Sequence, residues 1–220
     1  MSIVKKYTFP KILQIVILII LVILNVGRFV GDFNNTHWFS QIDFRNRVVG
    51  TRLARAGFDS YFFHWDKNYS DYYLDPHDST TELINRVVWP PSTLLLHIPF
   101  VGIDYYWQKL FWFFTQWGLL FFSIYLVAEF SRDKITAWII GLAVSWSYFW
   151  LYHVERGQFY IFYVFLFSLA YWFFRQAHRN EKKNQWYYLA CGLILGLATA
   201  LRPPLAIFLF LSYFPSAVIY

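Results

Sequence analysis

The residue best placed for chemistry is Asp43. It follows the first long apolar run and opens a segment with helical spacing, Val49, Leu53 and Ala56 on one face and Arg45 and Arg52 on another. A carboxylate held there, near a membrane surface, can act as a general base on a lipid-borne hydroxyl. The competing reading is structural, because Asp43 and Arg47 stand four apart, the spacing of an ordinary helical ion pair. Arg202 is the second candidate. It lies between Leu201 and Pro203-Pro204 at the end of an uncharged run, where a guanidinium can grip a phosphate bidentately or simply snorkel to headgroups. His153, Glu155, Arg156 and Gln158 form a third group, dense in polar atoms for a short connection, although Glu155 and Arg156 can neutralise each other. Trp89, with Trp65, Tyr72 and Tyr73, can stack on sugar rings or belong to an interfacial aromatic belt. Asp71, Asp75, His77 and Asp78 offer oxygen-rich ligands for a hard cation but lack EF-hand spacing, and no metal is assigned. Cys191 is the sole cysteine, so neither an intramolecular disulfide nor a cysteine metal cage can form.

The elements that must carry these residues follow from where charge is missing. The 220 residues are 58% hydrophobic, 24% aromatic and 15% charged, against ~25% charged in soluble domains. Uncharged windows run over 12–27, 110–128, 135–154, 157–174, 184–201 and 203–220. A helix needs roughly 17–25 apolar residues to cross a ~30 Å hydrocarbon core, which each window reaches, the first by snorkelling of Lys11 and Arg28. The predicted fold class is all-α, a polytopic transmembrane bundle of about six spans with a large outer loop. A soluble enzyme, a secreted disulfide domain and a disordered tail are excluded.

The formal charge of +6 is unevenly placed. Residues 28–109 carry net −1, and the rest net +7, clustered at Lys5, Lys6 and Lys11, at Arg132 and Lys134, and at Arg175, Arg179, Lys182 and Lys183. Each cluster flanks an uncharged window, which is the positive-inside pattern of a multi-pass cell-membrane protein with a cytoplasmic N-terminus. Nucleic acid is not needed to explain the basicity.

Three regions follow: a first span over 1–30, an extracytoplasmic loop over 31–104, and spans two to six over 105–220. Within the loop, Ser40 is expected to cap an amphipathic helix from Gln41, ended by Gly57 and lying in the headgroup layer. Residues 58–82 read as irregular. Trp89-Pro90-Pro91-Ser92 stops the loop and starts a short re-entrant or interfacial helix, since paired prolines cannot continue a helix but can begin one. Later helices are expected at Leu110–Ala128, Ile135–His153, Phe159–Phe174 and Trp186–Leu201, with a sixth from Pro203.

With these residues in view, the chain resembles the polytopic GT-C glycosyltransferases, and most of all the polyprenol-phosphate-mannose-dependent α-mannosyltransferases of family 87. The likeness rests on Ile42-Asp43-Phe44, Gly57-Phe58-Asp59-Ser60-Tyr61, Trp89-Pro90-Pro91 with Pro99-Phe100, Gly157-Gln158, and Gly196-Leu197-Ala198-Thr199-Ala200-Leu201-Arg202-Pro203. Ser60 and Trp89 replace the family's Pro and Tyr, and Arg202 stands where Lys is commoner. The resemblance implies an inverting hexosyl transfer with Asp43 as catalytic base and Arg202 and Arg156 on the donor phosphate. Tyr61, Trp89, His153, Glu155 and Gln158 are then the expected substrate contacts, with no cofactor. The implied partners are a polyprenyl-phosphate-linked sugar, a lipid or glycan acceptor and membrane lipids. A non-catalytic module that binds lipid-linked sugar, or a structural membrane subunit, uses the same basic and aromatic residues without needing Asp43 as a base. Family members carry about twice as many spans, and no basic flank follows window 203–220. The expectation is a partial chain, poorly stable and inactive by itself.

Overall fold

The computed structural model describes residues 10–75, 87–179 and 184–207, which form helices and no strand. The α-helices are α1 (Lys11–Asn35), α2 (Ile42–Arg55), α3 (Pro91–His97), α4 (Tyr105–Phe130), α5 (Lys134–Val144), α6 (Tyr148–Arg156), α7 (Tyr160–Arg179) and α8 (Asn184–Leu201). Short 3₁₀ turns cover Asp71–Tyr73, Ile98–Phe100 and Pro203–Leu205. By length and composition α1 and α4 can each cross a membrane, and α5 with α6 make a third crossing if taken as one bent segment. That is fewer than the six spans expected, and most of the sixth window lies outside the described residues, as do His77, Asp78 and Glu82.

Helix α1 is built inside out relative to a helix of a soluble protein. Its apolar side chains face outward, and the residues it buries are Asn25 and Asp32. In hydrocarbon an apolar side chain gains nothing by facing protein, so polar groups become the docking face. Asn25 donates to the Leu142 carbonyl at 3.2 Å and accepts from Ser145 Oγ at 2.6 Å, while Arg28 pairs with Asp32 at 3.1 Å. The Asn25 contacts seat α1 against the end of α5, whereas the Arg28–Asp32 pair lies within α1.

The third expected span, Ile135–His153, is broken by 58° between α5 and α6. Serine chemistry explains the break. Ser145 turns its hydroxyl to Asn25, and Ser147 takes extended backbone and caps α6 by accepting from Trp150 N at 3.1 Å. Helix α4 starts earlier than expected because Asp104 caps it, accepting from Tyr106 N at 2.9 Å. Buried Lys109 therefore lies inside the helix, reaching the His37 carbonyl at 3.4 Å.

Helix α2 corrects the sequence reading most. It does not lie on the surface: every residue from Phe44 to Leu53 is buried. Its three buried arginines find partners instead of headgroups. Arg45 pairs with Asp75 at 3.2 Å and Arg52 donates to the Tyr72 carbonyl at 3.0 Å with its guanidinium over the Tyr72 ring, so this face ties down the 71–75 segment. Gly57, at φ 81°, ends the helix in a Schellman arrangement, with Phe58 N on the Leu53 carbonyl and Gly57 N on that of Ala54. Ser40 is not the cap; left-handed Gln41, at φ 45°, takes that position. Pro90 and Pro91 begin α3 as expected.

The basic ends converge. Arg175 and Arg179 of α7 stand 5.4 and 4.8 Å from the ring of Phe130, the last residue of α4. The α6–α7 connection, at the other end of α7, is where the candidate residues gather.

Candidate active site

Three successive residues at the end of α6 hold three positions at the start of α2. Gln41 N donates to the Glu155 carbonyl at 2.9 Å. The Asp43 carboxylate receives Arg156 Nε at 3.0 Å and Nη2 at 3.3 Å. Arg47 Nη2 donates to the Gly157 carbonyl at 2.6 Å. Gly157 is left-handed at φ 64°, and a Cβ there would stand 2.6 Å from Phe44 Cβ, so only glycine lets α2 approach this closely.

This register removes two expected ion pairs. Asp43 does not pair with Arg47, and Arg156 is not neutralised by Glu155. Asp43 and Arg156 pair with each other across 113 residues of sequence, with side chains 20% and 33% exposed. Arg156 also donates to the Tyr152 hydroxyl at 2.5 Å. The carboxylate is therefore oriented by a fork of two N–H bonds yet remains open to a ligand.

Arg47 faces inward, fully buried, with its guanidinium 5.6, 4.9, 5.3 and 5.0 Å from the ring centroids of Phe44, Trp89, Trp112 and Phe159. Burial lowers its pKa to about 10, so it stays charged at neutral pH. Trp112 Nε1 adds a second donor to the Gly157 carbonyl at 3.2 Å. His97 stands edge-on to Phe44 at 5.2 Å, and burial, with Arg47 nearby, lowers its pKa to about 4. Phe44, His97, Trp112 and Phe159 also wall a cavity of about 190 Å³. Neither Arg47 nor His97 was singled out from sequence; the available signal was an arginine one turn beyond Asp43 in an aromatic-rich chain.

Arg202 begins the Pro203–Leu205 turn, partly exposed, with its guanidinium 4.7 Å from the Tyr160 ring centroid. Among the described residues it has no ion-pair partner. His153 stacks on Trp150 at 5.4 Å and lies 6.3 Å from the Tyr160 ring. It is buried, however, unlike an open substrate contact. Trp89 is half-buried over Arg47, and its carbonyl accepts the Tyr61 hydroxyl at 2.7 Å, placing two of the expected substrate contacts side by side. Glu155 and Gln158 flank Arg156 and Gly157, half-buried, with backbone bonds to Gln41 and His153. Of the cation-binding candidates, Asp75 is paired with Arg45, and His77 and Asp78 lie outside the described residues.

Asp43 is joined to Arg156, and Arg202 stands on Tyr160, which closely follows the α6–α7 connection in sequence; a carboxylate can deprotonate a hydroxyl and guanidinium groups can stabilise an anionic leaving group. No curated protein and no solved structure matches the chain significantly. The family model of glycosyltransferase family 87 matches residues 88–214, more than half of the sequence, including Trp89, the 153–158 group and Arg202, with Asp43 and Tyr61 lying before the match. This chain belongs to glycosyltransferase family 87.

Proposed function

We propose that the protein transfers a hexose, mannose by the family likeness, from a polyprenyl-phosphate carrier to a hydroxyl of a lipid or glycan acceptor at the outer face of a bacterial plasma membrane. Asp43 takes the acceptor proton as the acceptor oxygen bonds to the anomeric carbon. The carbon–oxygen bond to phosphate breaks, its electron pair leaves with the lipid phosphate, and the configuration inverts. Arg202 stabilises the charge growing on that phosphate, and Arg156 can divide its donors between Asp43 and the same anion. Tyr61 and Trp89 supply aromatic surface for sugar rings. The convergence of Arg175 and Arg179 on the end of α4 supports a topology with that end cytoplasmic and the 153–158 group outside.

The observation that carries the reading is the Asp43–Arg156 pair, a solvent-accessible carboxylate held by a two-point fork in a chain of this family. Asp43→Asn keeps the shape and one acceptor oxygen but cannot take a proton. It should reduce sugar transfer by about a thousandfold or more while leaving expression and polyprenyl-phosphate binding intact. Transfer within tenfold of the parent would remove Asp43 from the base position.

A further inference from the structure

We propose that Arg47 is a positioning residue for Asp43, acting through its grip on the Gly157 carbonyl. The inference rests on the base reading of Asp43 and goes beyond it, since Arg47 is fully buried and no substrate atom need touch it. Helix α2 could pack against α6 in many neighbouring registers if apolar contacts alone held it. The Arg47–Gly157 bond, at 2.6 Å, fixes one of them, and Gly157 directly follows Arg156, the residue that orients Asp43. Trp112 Nε1, at 3.2 Å from the same carbonyl, holds the acceptor group of this clamp from α4.

Packing alone does not account for a guanidinium here. Among the described residues Arg47 has no carboxylate in ion-pair contact, and its Nε and Nη1 have no hydrogen-bond partner. An apolar side chain in the cage of Phe44, Trp89, Trp112 and Phe159 would avoid burying that charge. What an apolar side chain cannot supply is a directed donor to Gly157. The aromatic faces partly compensate the buried charge and hold the guanidinium in place. Displacing a catalytic group by about 1 Å can lower a rate by about a hundredfold, so a clamp one helical turn from the base has leverage on turnover without touching the donor.

The test uses the purified protein with Arg47→Met, Arg47→Lys, Trp112→Phe and, as control, Asp43→Asn. Undecaprenyl phosphate binding counts the folded, donor-competent molecules, and transfer from polyprenyl-phosphate mannose to native membrane acceptor gives turnover per binding site. Arg47→Met should keep the lipid-phosphate Kd within about twofold while turnover per site falls about ten- to a hundredfold. Arg47→Lys, which can still donate to Gly157, should recover part of that loss, and Trp112→Phe should lose about threefold. A merely structural arginine would instead lower the number of sites with turnover per site unchanged, and that result overturns the proposal. If Arg47→Met yields no binding sites, Trp112→Phe decides: unchanged turnover per site overturns the clamp. Transfer retained in Asp43→Asn identifies a different failure, that of the base reading on which the clamp depends.

Discussion

Arg156 and Arg202 differ in how much of their charge is already paired. Arg156 holds Asp43 with two donors and Tyr152 with a third, whereas among the described residues Arg202 stands on the face of Tyr160 with no ion-pair partner. An incoming phosphate therefore finds Arg202 open, and must compete with a carboxylate for Arg156. A third basic residue, His97, carries a pH signature. Its pKa is about 4 in the folded chain against 6.5 for an unperturbed imidazole, because burial and Arg47 disfavour its charge. Between those values the unfolded chain binds the proton and the folded chain does not, so stability falls as pH drops from about 6.5 and levels off below about 4. The loss is at most about 3 kcal/mol. Thermal unfolding between pH 7 and 4.5 should show a falling midpoint, with a visibly smaller fall in His97→Gln; equal falls would assign the effect elsewhere.

At the scale of elements, the junction of α2 with the α6–α7 connection depends on Gly157. Its φ of 64° and the 2.6 Å approach of a Cβ to Phe44 mean that Gly157→Ala is strained twice over. Left-handed backbone alone costs about 1–2 kcal/mol for an L side chain, and the clash must also move α2. The variant should lose about 2 kcal/mol or more in denaturant unfolding and lose turnover with it, and an unchanged unfolding midpoint would show that α2 is not seated on this glycine. The elements most legible in the sequence were those with local signals. Gly57 and the Pro90-Pro91 pair marked helix ends, and the polar group at 153–158 stood out against apolar flanks. The break between α5 and α6 was not legible, because it depends on Ser145 meeting Asn25 from α1, 120 residues earlier. Likewise the spacing of Asp43 and Arg47 fitted a local pair, while the true partner of each lies more than 100 residues away. The arginine pattern also overstated the surface exposure of α2. Three buried arginines resembled a solvated face until their partners, Asp75, Gly157 and Tyr72, were known.

Across the described residues the polar groups fall into separate clusters. Asn25 and Ser145 join α1 to the bundle, Arg175 and Arg179 collar one end, and Asp43, Arg156 and Arg202 belong to the other. Membership of glycosyltransferase family 87 supplies the reaction class, and the Asp43 carboxylate held by Arg156 makes single displacement the chemistry we propose. A single displacement gives one inversion at the anomeric carbon. The most direct test is to supply the protein with polyprenyl-phosphate β-mannose and a membrane acceptor, and to read the new linkage by NMR. The account predicts an α-mannosyl product released together with polyprenyl phosphate. A β-linked product, or transfer that requires a nucleotide sugar instead of the lipid phosphate, would contradict it.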